Sequence, residues 1–373
     1  LFAVHLTARN RALLDGERPG AVNLVHRLLT SGVGGCDAGC LQKKLRRLGA
    51  VLKLVDDPRI PMDNYYSNGR FSYVRLEAAA DYGPDALALL VDLARNASFT
   101  EADFERERAA QIAQASRQLG SAGATANRKL EAALFGDHPL ARAVEGDPAS
   151  LKALTYEEAR RVYHEAFAPE NLIVAVASPY GHEELAATLG GLLPGRGRPR
   201  GGLPPAPVTI ASDRMAVSMG GEMGAIRIGA LLKAAPEDRR PLELLVAILS
   251  NRLAMDLREQ KGLSYSVGAS FEMLGGEGEF QAWLNPPRER LAEGEQTLRD
   301  FLAAFDPATI TQDELERTRN ATAGRLMMRR LASISQAYYL AMAELDGDLG
   351  QYERMLAAYD GVRLSDLRRV WTR

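Results

Sequence analysis

Thr100-Glu-Ala-Asp-Phe-Glu-Arg-Glu-Arg108 is answered further along the chain by Thr311-Gln-Asp-Glu-Leu-Glu-Arg-Thr-Arg319, at an offset of 211 residues. The Thr, the acidic fourth position, the apolar fifth, the Glu-Arg pair and the final Arg coincide. Each copy supplies a Thr N-cap and acidic first-turn residues, the start of a long amphipathic helix. Arg160-Arg-Val-Tyr163 and Arg368-Arg-Val-Trp371 repeat in the same order at an offset of 208 residues. Helix starts resemble one another because capping signals are common, but ordered matches at nearly equal offset point to a duplication.

Working outward, the midpoint carries Pro194-Gly-Arg-Gly-Arg-Pro-Arg-Gly-Gly-Leu-Pro-Pro-Ala-Pro207, too rich in Pro and Gly to hold a helix or a central strand. The chain therefore divides into residues 1–193, a linker at 194–207, and residues 208–373. Strand-like runs are expected near the start and at 71–76, 171–177, 225–231 and 278–283. Helices are expected at 20–31, 37–48, 84–96, 101–119, 124–135, 155–166, 182–192, 237–259, 288–304, 312–332 and 333–346. Helix pairs between strands predict an α+β fold of two homologous domains, each a mainly antiparallel sheet packed against helices. The first-half Arg-Arg-Val segment runs on into the strand at 171–177, so a closing strand is expected to be missing from the second half. The start, strand-like and without Met, is expected to lack its native N-terminus, which leaves compartment open.

Composition bounds the function. The 373 residues are 46% hydrophobic and 25% charged, with 46 basic against 48 acidic side chains and a net charge of −2. That is ordinary globular usage, enough for two or three domains, and it gives no electrostatic reason to bind nucleic acid or an anionic membrane. The longest apolar stretch, Leu242 to Leu257, is broken by Glu243, Asn251, Arg252 and Asp256, so no membrane span is expected. Two cysteines, Cys36 and Cys40, are too few for a disulfide scaffold. They read as reduced thiols, one local disulfide, or with His26 a weak metal chelate lacking a fourth ligand. His5, His138, His164 and His182 read as surface or loop residues. Gly220–Gly224 and Gly275–Gly278 fit no phosphate-binding pattern and read as strand connections.

Leu257-Arg-Glu-Gln-Lys-Gly-Leu-Ser-Tyr265, followed by Ser266-Val267, resembles a segment in the second domain of the pitrilysin/insulinase zinc peptidases, the inverzincins. Asp103–Arg108 and Pro169–Ala177 are also similar to family segments, so the resemblance covers nearly the whole chain. It implies two metallopeptidase-like domains of the mitochondrial-processing-peptidase type. It also implies where zinc chemistry belongs. Catalytic members carry H-x-x-E-H on the first long helix, two histidines for zinc and a Glu for the metal-bound water, with a later Glu as third ligand. Here Asn23 and Arg27 stand at the histidine positions, His26 at the Glu position and Gln114 at the third-ligand position.

Asn23, His26, Arg27 and Thr30 share one stripe of the predicted helix, opposite Ala21, Leu24, Val25 and Leu28. Amides are poor zinc ligands and Arg27 sets a permanent cation where a dication would sit. No metal and no catalytic residue is therefore expected on this chain; the stripe otherwise reads as a solvated helix face with a spare histidine. Arg258 and Tyr265, seven residues apart, correspond to the Arg and Tyr with which the family's second domain holds the substrate. A guanidinium fork and a phenol suit a peptide carbonyl or oxyanion. The plainer alternative makes Arg258 an ion pair at a helix end and Tyr265 a half-buried strand aromatic.

The resemblance thus implies a non-catalytic subunit or half of a zinc metallopeptidase. It would form one side of a peptide-binding chamber and lend Arg258 and Tyr265 to substrate. Zinc would reside in a homologous catalytic partner, or the chain would be an inactive half of a longer polypeptide or form a homo-oligomer. The alternative is a structural or peptide-binding scaffold of the same fold. For location the expectation leans to the bacterial periplasm over the cytoplasm.

Overall fold

The computed structural model describes residues 1–56, 68–193, 201–208 and 214–371. In chain order the main strands are β1 (Phe2–Arg9), β2 (Val51–Lys53), β3 (Phe71–Ala78), β4 (Leu172–Ala177), β5 (Ile226–Lys233), β6 (Val267–Met273) and β7 (Glu277–Leu284). The main helices are α1 (Ala21–Leu28), α2 (Ala38–Arg47), α3 (Gly83–Asn96), α4 (Glu101–Leu119), α5 (Ala122–Phe135) and α6 (Tyr156–Ala166). They continue with α7 (His182–Leu192), α8 (Arg239–Leu253), α9 (Leu291–Ala304), α10 (Gln312–Arg330), α11 (Ser333–Leu345) and α12 (Leu364–Trp371).

The chain forms two compact units, each an antiparallel sheet with helices. In the first, the strand order is β2-β3-β1-β4, with β1 central and buried along nearly its whole length. Its core gathers Phe2, Val4 and Leu6 of β1, Leu24, Val25 and Leu28 of α1, and Leu87 and Leu90 of α3. In the second the order is β5-β7-β6, packed on Leu244, Leu245, Ile248 and Leu249 of α8. Alternation places Ala282 and Leu284 of β7 in that core while their neighbours face away.

The repeat marks an exchange of helices. The paired long helices α4 and α10 begin 211 residues apart, and so do α5 and α11 that follow them. Helix α11, from the second half of the sequence, packs on β1 and β4 of the first unit, where Ala341 is buried with Ile173 and Ala175. Helix α5, from the first half, packs on β5 of the second unit. Gly229 admits it: a Cβ there would lie 2.9 Å from a Leu130 methyl. The units are accordingly discontinuous. The first is residues 1–116, 142–203 and 329–352; the second is 117–141, 204–328 and 353–373. They differ from the sequence halves by these two exchanged segments. Each helix finds its apolar partner only across the repeat, which the local pattern does not encode.

Several expectations change here. The single helix expected at 237–259 is α8 to Leu253 and then a wider π turn over Ala254–Gln260. Strand β6 was not expected: in Val267–Met273 exposed and half-buried positions do not alternate cleanly. Gly275 and Gly276 do turn β6 into β7; Gly224 donates its amide to the Pro286 carbonyl at 2.8 Å ahead of β5, and among the described residues no strand precedes Gly220–Gly224 closely. Of the expected linker, 194–200 lies outside the described residues and 201–207 has no regular structure.

Candidate functional site

Two places carry the expected site residues, one in each unit. In the first, α1 is fixed at its start by a close backbone crossing. Gly20, with φ +90°, would bring a Cβ to 2.7 Å from the Glu145 carbonyl, and Gly146, with φ +79°, would collide with Pro19. Only glycine tolerates both the crowding and the left-handed backbone. Gln111 of α4 then donates to the carbonyls of Gly20 and Glu145, 2.9 Å each, tying α4 to the same crossing. The buried Asp15 carboxylate accepts from the Val22 amide at 2.8 Å, satisfying an orphan donor of the first turn. Burial raises Asp15 to about 6.

On this fixed helix, Arg27 donates from Nε to Asn23 Oδ1 at 3.1 Å and from Nη2 to Gln114 Oε1 of α4 at 2.5 Å. The three positions singled out in the sequence therefore converge, and a guanidinium joins them. Both amide oxygens are committed to this cation, and a zinc ion would have to displace it. The residues do not fit a zinc site. Among the described residues, no three His, Cys, Asp or Glu side chains come close enough together to hold a metal ion.

His26 does not share that cluster. It is 1% exposed, its Nε2 lies 2.9 Å from Ser72 Oγ on β3, and its ring packs on Phe167. Burial, aided by the Arg11 charge, lowers it to about 3. So weak a base, aimed into the sheet, cannot stand in for a carboxylate that activates water. The reading of this stripe as a solvated face is corrected: Asn23 and His26 are buried. His5 is corrected likewise. It lies wholly inside β1, bonded to Thr7 at 2.9 Å and stacked on Tyr73, and burial lowers it to about 3.

Cys36 and Cys40 form a disulfide that joins a short hairpin (Gly32–Val33 with Cys36–Asp37) to the first turn of α2. Neither free thiols nor a thiolate chelate remains, because the bond consumes both sulfurs.

In the second unit Arg258 projects from the π turn, exposed, its Nε 2.8 Å from Glu259 Oε1. Wide π turns recur at functional positions because they re-aim a side chain. Tyr265 is 96% exposed, which overturns its reading as a half-buried strand aromatic. The backbone beneath it is held firmly. Buried Ser264 donates to the carbonyls of Ser266 at 3.0 Å and Asn285 at 2.6 Å, and the Asn285 amide donates to Ser266 at 2.9 Å. A large aromatic held in water on a pinned loop contributes little to this unit's own stability.

The fold has known relatives. Residues 153–322 match the family model described as "Peptidase M16 inactive domain". The chain is 27% identical over 300 residues to the uncharacterized zinc protease Rv2782c of Mycobacterium tuberculosis, covering 77% of this chain and 68% of that one. It is 21% identical over 361 residues to the non-peptidase homolog YmxG of Helicobacter pylori, covering 91% and 79%. The crystal structure of a peptidase M16 inactive domain from Pseudomonas fluorescens shares the fold at a TM-score of 0.84 and 21% identity, over 99% of this chain and 89% of that one. The fold is thus that of the M16-like peptidases, and residues 153–322 resemble the inactive domain of that family, to which the pitrilysin/insulinase resemblance of the sequence also points.

Proposed function

We propose that this chain is the non-catalytic half of a two-part zinc peptidase, lining one side of a peptide-binding chamber and presenting Arg258 and Tyr265 to the polypeptide held there. The carrying observation is the exposure of Tyr265, at 96%, on a loop locked by Ser264 and Asn285. A phenol so placed can donate to a peptide carbonyl, and the Arg258 fork can supply a second donor. The chain's own residues then bind and orient backbone; no bond-breaking step is assigned to them. Zinc and the water-activating carboxylate would come from a homologous partner carrying H-x-x-E-H. The disulfide supports a periplasmic location, since such bonds persist in oxidising compartments.

Co-expression with a zinc-bearing homologue, followed by a peptide-cleavage assay, tests the reading. The pair should cleave where neither chain does alone, and Arg258→Ala or Tyr265→Phe should cut kcat/KM by roughly tenfold or more, the worth of one charged or transition-state hydrogen bond. Full activity in both variants would refute the presenting role. Absence of cleavage in any pairing would favour the scaffold reading, for which the non-peptidase name of the Helicobacter relative speaks.

A further inference from the structure

Arg227, on β5, is a half-buried guanidinium whose hydrogen-bond partners are all neutral. It donates from Nη1 to Asn285 Oδ1 at 2.7 Å and to the Ile226 carbonyl at 2.8 Å, and from Nε to Asn127 Oδ1 of α5. Its Nη2 makes no hydrogen bond among the described residues and rests against the first turn of α5, where a Cβ on Gly123 would lie 3.3 Å from it. The positive end of that helix dipole adds potential of the same sign. Other partly buried arginines of this unit behave differently. Arg240 meets Glu243 at 2.7 Å, Arg252 meets Glu314 at 2.6 Å, and Arg369 meets Asp238. A partly desolvated cation without a carboxylate is costly, and burial alone pulls Arg227 down to about 10.

Position supplies a use for that cost. Asn285, which orients Arg227, also donates from Nδ2 to Ser266 Oγ at 3.1 Å, and Ser266 follows the exposed Tyr265. One side-chain chain thus links the uncompensated cation to the loop that presents the phenol. We propose that Arg227 is a carboxylate-recognising residue, joined through Asn285 and Ser266 to the loop that carries Tyr265, which selects polypeptides bearing a C-terminal carboxylate or an Asp or Glu side chain at that point. This rests on the peptide-binding reading above. Asn127 and Asn285 set the plane of the fork, and Nη2 is the donor that neither of them engages.

The test has two independent arms on the full chain. In the first, the Arg227 Nε–H resonance, assigned with Arg227→Gln, is followed while acetate or acetamide is added. A saturable shift with acetate alone is expected; equal or absent responses overturn the proposal whether or not peptides bind. In the second, one labelled decapeptide is compared as C-terminal acid or amide, and with Glu or Gln inside. Wild type should prefer one carboxylate form by about tenfold, and that preference identifies the source. Arg227→Gln should abolish the preference while the neutral form binds unchanged. A preference surviving in Arg227→Gln overturns the proposal but leaves peptide binding standing, whereas failure of every peptide to bind wild type removes the peptide-binding reading and the selective role with it.

Discussion

Lowering the pH from 7 to 5 should destabilise the first unit, because two neutral histidines lie inside it. His5 and His26 are depressed from 6.5 to about 3 by burial. Above pH 6.5 each is neutral in the folded and unfolded chain, so neither contributes. Below it the unfolded chain takes up protons that the folded one refuses, and each histidine costs about 1.4 kcal/mol per pH unit until the pH approaches the folded value. Asp15 acts in the opposite sense. Raised from 3.8 to about 6, it holds a proton in the folded state first and so returns about 1.4 kcal/mol per unit between those values. From pH 7 to pH 5 the histidines together cost about 4 kcal/mol and Asp15 returns about 1.3, a net loss near 2.5 kcal/mol. His26→Gln keeps an amide facing Ser72 and removes the titration. Urea unfolding of wild type and variant, followed by circular dichroism at both pH values, isolates that one residue. The variant should lose about 2 kcal/mol less than wild type over the interval. Parallel losses, within about 0.5 kcal/mol, would show that His26 protonates as in water, and the argument from its burial would fail.

Further outcomes follow from the same geometry. Asn23→His, Arg27→His and Gln114→Glu combined should bind one zinc after equilibrium dialysis, while wild type retains none; a triple variant without zinc would show that the converging positions do not have ligand geometry. Reducing the disulfide, or Cys40→Ser, should cost at most about 2 kcal/mol in urea unfolding, since a loop this short removes little chain entropy; a larger loss would mean the hairpin depends on it. Gly146→Ala should cost about 2–3 kcal/mol through the collision with Pro19 and the positive φ, whereas Gly190→Ala, with open space around it inside α7, should stabilise slightly. Tyr265→Phe should leave the unfolding midpoint unchanged because the hydroxyl is in water.

Local information was enough for most elements. Capping residues and amphipathic stripes mark α4 and α10 to the residue at both starts, and Thr155 with Glu158 forms the capping box that begins α6. What stayed hidden depends on contacts distant in sequence. Val267–Met273 reads as a weak strand because β6 is defined by pairing with β7 more than by alternation. The burial of His26 and His5 needs Phe167, Tyr73 and Tyr338, far from both in sequence.

The sequence by itself determined the duplication and the two antiparallel α+β sheets, since each is written in residue type and spacing. The tertiary structure alone decided that α5 and α11 trade places, that Arg27 closes over Asn23 and Gln114, and that Arg227 is left without a carboxylate. A side chain's charge is fixed by its chemistry. Whether that charge is compensated depends on which distant segments the fold brings within hydrogen-bonding distance, and helical or strand periodicity carries no record of that.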